Sequence, residues 1–184
     1  MHELTIERAR RGEPDAQAAL LAALQDLWFR FCVSQLGDAE AARDATQETA
    51  LRVLRGLPQW RGQGRIETWT IGVAVNVVRE HRRADRRQSV AGLTRGLELT
   101  GHCRFIAEEN AAASPFGQDE IDLLRSALSG LPERQRQALA LRFLEGCSVE
   151  ESAAAMRCAP GTIKATVHQA LRALRRKLTS RLRP

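Results

Sequence analysis

Residues 131–178, LPERQRQALALRFLEGCSVEESAAAMRCAPGTIKATVHQALRALRRKL, constrain the fold of this chain more than any other stretch. They read as two short helices, a tight turn and a long basic helix. The last helix keeps Ile163, Val167, Ala170, Leu171, Leu174 and Leu178 at steps of three and four, which gathers one apolar stripe. Its other face carries Lys164, His168, Gln169, Arg172, Arg175 and Arg176, and no acidic residue follows Glu151. A helix that packs through one face and is cationic on the other suits a DNA major groove. Ser148 and Glu151 stand at capping-box spacing, which starts the helix before the turn. The stretch predicts a helix-turn-helix that reads DNA.

Charge supports a polyanionic partner through its placement more than its size. The net charge is +6 with a sequence pI near 10.0. Nearly all the cations are arginine, clustered in Arg79 to Arg87 and again in Arg172 to Arg183. Arginine suits phosphate and guanine because its guanidinium makes paired contacts to both. No apolar run approaches the ~18 residues that span a bilayer. The apolar segment near Leu20 is interrupted by Gln25 and Asp26, unlike a signal peptide. The chain therefore reads as a soluble cytoplasmic protein without membrane insertion.

Cys32, Cys103, Cys147 and Cys158 contain no CxxC pair, and fit neither a disulfide framework nor a zinc finger. They read as small apolar fillers plus one linker thiol, although His102-Cys103 could donate two metal ligands. No metal site is expected. No nucleophile–base set or phosphate-binding glycine loop is present either, so the sequence points to no enzyme, no cofactor and no small-molecule substrate.

Three segments follow one another, and the fold class they predict is all-α: two small helical domains joined by a flexible linker. Residues 1–88 are dense in helix formers. Gly12-Glu13-Pro14-Asp15 precedes a helix of about Ala16 to Leu36, and Gly37-Asp38 precedes another of about Ala39 to Leu57. On the latter, Ala50, Val53, Leu54 and Leu57 form the expected packing stripe, and Asp44, Glu48, Leu51 and Arg55 an outward ridge. Pro58 to Glu67 read as a loop. Next, Trp69, Ile71, Val73, Val75 and Val77 alternate as in a strand. No second strand offers a partner, and the run continues into good helix formers, so a buried helix is expected. Residues 89–119 mix Gly, Ser, Pro and acids without periodicity, as linkers do. Residues 120–184 form the second helical unit.

GDAEAARDATQETALRVLRGLPQWRGQGRIETWTIGVAVNVVREHRR resembles region 2 of the extracytoplasmic-function (ECF) sigma factors, through Gly37-Asp38, Ala42, Asp44, Gln47-Glu48, Arg52, Trp60-Arg61-Gly62, Thr68-Trp69, Ala74 and Asn76. The stretch from Leu131 to Leu178 is similar to their region 4. The intervening segment is too short for the extra domain of larger sigma factors. The resemblance implies a non-enzymatic specificity subunit that brings bacterial core RNA polymerase to promoter DNA and helps open it, restrained by an anti-sigma factor or another signal-dependent device. It assigns polymerase docking to Asp44, Gln47, Glu48, Leu51, Arg52 and Arg55. Minus-ten DNA falls to Trp60, Arg61, Gln63, Arg65, Asn76, Arg79 and Arg83, with Trp60 equally suited to the core. Arg79, Arg82, Arg83, Arg86 and Arg87 would hold duplex phosphates. Minus-thirty-five DNA falls to Thr162, Lys164, Ala165, Thr166, His168, Gln169 and Arg172.

The chain departs from the family pattern at several of these places. Ala45 and Ala50 replace larger apolar residues, Ile66 an aromatic, and Val75 a position that is often arginine. Arg157 stands where the turn usually has glycine, Ala165 and Thr166 where serine and arginine are common, and Ser152 at a usually apolar position. A helix-turn-helix regulator that acts without polymerase is the alternative. Such a regulator needs neither the Gln47-Glu48 helix nor the Trp60 loop.

Overall fold

A computed structural model describes residues 3–90 and 117–182, and among them every regular element is helical. The first unit holds α1 (Glu3–Arg10), α2 (Pro14–Leu36), α3 (Ala39–Gly56), a single 3-10 turn (Leu57–Gln59) and α4 (Ile66–Val90). The second holds α5 (Gln118–Ser129), α6 (Glu133–Leu139) with a π-helical turn at Ala140–Leu144, α7 (Val149–Met156) and α8 (Pro160–Leu182). Helix α1 is an element that the sequence reading did not separate. Helix α5 begins at Gln118, two residues ahead of the expected Glu120; Glu120 reaches back to accept the Gly117 N–H at 3.1 Å.

The breaks fall where local chemistry puts them. Pro14 opens α2, where its fixed φ suits a first turn, and Gly37 closes it at φ 85° with its N–H on the Val33 carbonyl. Asp38 then caps α3 by accepting the Ala41 N–H at 2.8 Å. Helix α2 buries Leu20, Leu24, Trp28 and Phe31 at steps of four, four and three. Helix α3 meets it with Ala42, Ala45, Thr49 and Val53. The small residues let the two helices approach closely. Ala50 and Leu54 are only half-buried, so the inward line of α3 runs one position away from the expected stripe, joining it at Val53 and Leu57.

The segment that alternates like a strand is helical, as expected, with Ile71, Ala74, Val75, Val77 and Val78 all buried. One apolar core runs through α1–α4 and continues into Ala138, Leu141, Ala153, Ala155, Met156 and Ile163 of the second unit. A smaller core gathers Ala127, Leu131, Leu139, Ala170 and Leu174. Burying a side chain as large as Trp28 or Phe31 is worth about 1.5–3 kcal/mol. An exposed ion pair adds only ~0–1 kcal/mol, so burial sets the architecture and the ion pairs trim it.

Candidate nucleic-acid interface

The α3 ridge stands outward. Asp44, Gln47, Leu51 and Arg55 are exposed, and Glu48 and Arg52 half-buried. Leu51 is an apolar side chain 49% exposed among charges. Arg52 is held from two sides, by Glu48 at 2.7 Å on its own helix and by both carboxylate oxygens of Glu80 on α4 at 2.9 and 2.6 Å. The pairing raises the Arg52 guanidinium pKa and holds the Glu80 carboxyl below its usual range.

After the 3-10 turn comes the loop that precedes α4. Arg61, Gln63 and Arg65 are exposed there, and Gly62 and Gly64 take left-handed φ of 71° and 77°. Trp60 and Trp69 are both half-buried against the core, with ring centroids 6.2 Å apart and planes tilted by 36°. Trp60 thus belongs to both readings: one part seats the loop, the rest reaches solvent.

Along α4 the arginines divide. Arg83, Arg86 and Arg87 are exposed. Arg79 is half-buried and donates to Gln137 of α6 at 3.3 Å; burial pulls its pKa below the ordinary value. Arg82 donates to the Gln35 carbonyl, and Arg86 to Glu133 at 3.4 Å. The five arginines are therefore not one phosphate grip: Arg79 and Arg82 are half-buried and bonded within the protein, and Arg86 is bonded to Glu133 while staying exposed. Asn76 is half-buried.

In the second unit Ser148 and Glu151 form the expected reciprocal cap. Ser148 Oγ accepts the Glu151 N–H at 3.0 Å, and a Glu151 oxygen accepts the Ser148 N–H at 2.7 Å, which holds the Glu151 carboxyl below its usual range. The turn passes through Arg157 at φ 51°, the left-handed region that glycine would favour. Beyond it Thr162, Lys164, Ala165, His168, Gln169 and Arg172 are exposed and Thr166 half-buried, while Ile163, Ala170 and Leu174 are buried. Leu171, expected in the packed stripe, is 46% exposed: one residue past Ala170 the helix has turned it toward the open side.

Sequence comparison bears on the whole arrangement. The Sigma-70 region 2 family model matches residues 20–88, and the Sigma-70 region 4 model matches residues 121–174. The ECF RNA polymerase sigma factor ShbA of Streptomyces griseus is 31% identical over 178 residues, covering 92% of this chain and 91% of that protein. The chain belongs to the ECF RNA polymerase sigma factors. The RNA polymerase sigma-H factor of Pseudomonas aeruginosa is 29% identical over 181 residues, covering 97% of this chain and 94% of its own. In fold, the chain is similar to the sigma factor RpoE of Bartonella quintana solved with the anti-sigma factor NepR. There the TM-score is 0.61 and the identity 20%, over 88% of this chain and 96% of that one.

As an ECF sigma factor the protein is a transcription initiation factor of RNA polymerase, whose partners are the core enzyme and promoter DNA. Among the described residues no helix is long and apolar enough to cross a membrane, and no cluster of metal-ligating side chains occurs. Cys32 is buried, which pushes its thiol up to about 12, and burial also raises Cys147. Both behave as fillers. Cys103, with the central part of the linker, lies outside the described residues.

Sequence reasoning missed the partners of this sigma factor's α4. Glu151 accepts from Thr68 Oγ1 at 3.1 Å and stands 3.7 Å from Arg65, while Arg30 of α2 pairs with Glu145 at 3.3 Å. These residues lie far apart in the chain and carry no local signal. Phe143 and Leu144, in the π-helical turn, are exposed by 63% and 55% and were also overlooked.

Proposed function

We propose that this ECF sigma factor docks on core polymerase through the α3 ridge, traps minus-ten DNA with the Trp60–Arg65 loop and α4, and reads minus-thirty-five DNA with the outer face of α8. Residues 1–88 serve as the first promoter-engaging domain, 89–119 as linker and 120–184 as the second. The observation that carries the proposal is the sidedness of α3. Ala42, Ala45 and Val53 are fully buried, while Leu51 stands exposed between Gln47 and Arg55. An apolar anchor inside a charged rim is an interface composition, not a solvated helix face.

Trp60 offers a stacking surface, and Arg61 and Arg65 offer cations for the backbone. Stacking contributes about 1–3 kcal/mol per base, enough to bias strand separation once polymerase is bound. On α8, Lys164, His168, Gln169 and Arg172 share the exposed side, and Arg172 pairs with a guanine or grips a phosphate. The protein works in the cytoplasm beside polymerase. An anti-sigma protein restrains it, a reading supported by the complex of its structural neighbour with NepR.

Co-elution of the purified chain with bacterial core polymerase, followed by run-off transcription from genomic fragments, tests the proposal. A stoichiometric complex that starts RNA at discrete sites is expected. A chain that stays off polymerase yet binds particular duplexes alone would be an operator-binding regulator instead.

A further inference from the structure

A cavity of about 280 Å³ lies where the end of α2, the C-terminal half of α4 and the α5–α6 connection meet. Arg82 and Arg86 line it from one turn apart on α4, and Arg136 lines it from α6. Leu36, Leu131 and Pro132 supply apolar wall. Arg136 is the decisive member. It is only 7% exposed, and its Nη1 donates to the carbonyls of Ser129 and Leu131, at 3.1 and 3.4 Å. Its Nε and Nη2, which form one paired edge of the guanidinium, are buried without a hydrogen-bond partner. Arg82 repeats the pattern: Nη2 donates to the Gln35 carbonyl, and Nε is buried without a partner. Arg86 is exposed and meets Glu133 at 3.4 Å.

Buried charged donors are normally paired, because an ion taken out of water without a partner is strongly disfavoured. Glu133 and Asp85 line the cavity too, and Glu133 already accepts from Gln137 at 3.1 Å. Three guanidinium groups against two carboxylates leave one positive charge in excess. Water filling the cavity leaves that charge unneutralised. The open edge of Arg136 is the fork that pairs with two oxygens of a single oxyanion. Arg82 Nε adds a donor from a second helix. A planar carboxylate has only two oxygens, both taken by the fork, whereas a tetrahedral phosphate keeps others for Arg82 and Arg86. We propose that this cavity binds a small phosphate-bearing anion through Arg82, Arg86 and Arg136. Its 280 Å³ falls just below the roughly 300–1,000 Å³ of pockets that enclose drug-sized ligands, so it takes a phosphate group rather than a whole cofactor. Arg136 lies too deep for a duplex backbone to reach, which sets this site apart from the promoter-reading surfaces.

NMR spectra of the arginine Nε–H groups read the site directly. The full chain is titrated with inorganic phosphate at constant ionic strength, with the Arg82 and Arg136 signals assigned through the backbone. Both signals are expected to shift together and to saturate, while chloride and acetate at the same ionic strength leave them in place. Arg136→Lys keeps the charge but loses the fork, and is expected to weaken phosphate binding about tenfold. Arg86→Gln replaces a side chain that is 68% exposed, so it serves if Arg136→Lys does not fold. It is expected to weaken binding about threefold. Adenosine monophosphate separates two sources of the same chemistry. If it shifts both signals as phosphate does, the site accepts a phosphate monoester; if it does not, the site holds the free anion, and either result supports the site. A duplex oligonucleotide is expected to leave both signals in place. The site is overturned by the absence of a saturable shift with phosphate, by an equal response to acetate, by a response to the duplex alone, or by unchanged affinity in the folded variants.

Discussion

Arg52 of α3 grips Glu80 of α4 with two hydrogen bonds, at 2.9 and 2.6 Å, while its Nε holds Glu48 one turn back. The arginine that the family pattern assigns to polymerase docking is therefore also a brace between α3 and α4, the helices proposed to carry the docking and DNA surfaces. Exposed pairs of this kind contribute ~0–1 kcal/mol, more when paired arginine geometry fixes both groups. The brace sets the angle at which the ridge is presented more than it sets stability.

Leu51 separates these roles because it has no bond to lose. Leu51→Ala is expected to weaken association with core polymerase about tenfold, the size typical of an apolar anchor in a charged interface. The melting temperature should not move. Arg52→Ala is expected to lower affinity more than melting temperature, and Glu80→Gln to act in the same way but more weakly. Binding of labelled protein to core polymerase, with calorimetry beside it, checks all three; unchanged affinity for Leu51→Ala would remove the ridge from the interface.

Trp60 divides its surface between the core and the loop. Trp60→Ala is expected to reduce permanganate reactivity at the start site at least ~5-fold, the lower end of a base-stacking contribution. Polymerase binding should hold. Trp60→Phe keeps a ring and should retain most of the opening. Loss of the Trp60–Trp69 pair also costs about 0.5–1.5 kcal/mol of stability, so the assay belongs well below the melting temperature. Equal opening by the alanine variant and the wild type would return Trp60 to the core alone.

How much of this was legible in the chain depended on whether the cause was local. The Ser148–Glu151 cap, the Gly37 stop and the Arg157 turn are decided by neighbours a few residues away, and each stood in the sequence. The α4 run is harder because Ile71, Ala74, Val75, Val77 and Val78 are buried from two sides, by α2 and α3 and by α7. A helix covered on both sides loses its 3.6-residue period, and the remaining alternation looked like a strand. The engagement of Arg79, Arg82 and Arg86 with acceptors elsewhere in the protein had no local signature at all. Thr68 and Glu151 are 83 residues apart, and nothing in either neighbourhood announces the other. Leu171 shows the opposite limit: the spacing was right for an apolar stripe, and the edge of the stripe fell one residue short of it.

Arg157 sits at φ 51° and ψ 55° with an exposed side chain, between α7 and α8. A non-glycine residue in that region carries roughly 1–2 kcal/mol of strain, and glycine returns ~0.4–1 kcal/mol of that through a looser unfolded chain. Arg157→Gly is thus expected to stabilise the protein by about 0.5–1 kcal/mol. In a chain of this length that raises the melting temperature by roughly 1–4 °C. Thermal unfolding by circular dichroism checks it, and a lower melting temperature would mean that the Arg157 side chain contributes more than its exposure indicates.

Glu145 gives the fold a pH signature of unusual sign. Its side chain is only 1% exposed; one carboxylate oxygen meets Arg30 at 3.3 Å and the other has no partner. Burial raises its pKa above the ordinary 4.5, against the opposing pull of Arg30. The folded state therefore favours the protonated form more than the unfolded chain does. The stability this contributes is fully present below the ordinary carboxyl value and is lost as pH rises through the raised folded value. Glu151 and Glu80, whose values are lowered, act in the reverse sense and lose their contribution as pH falls. Total stability mixes these terms, so the test is a difference. Urea unfolding of wild type and Glu145→Gln across the mildly acidic range should show the wild type gaining on the variant as pH falls, because the glutamine cannot titrate. A difference that stays flat, or a wild type that loses ground to the variant toward acid, would mean that Arg30 holds Glu145 ionised despite its burial.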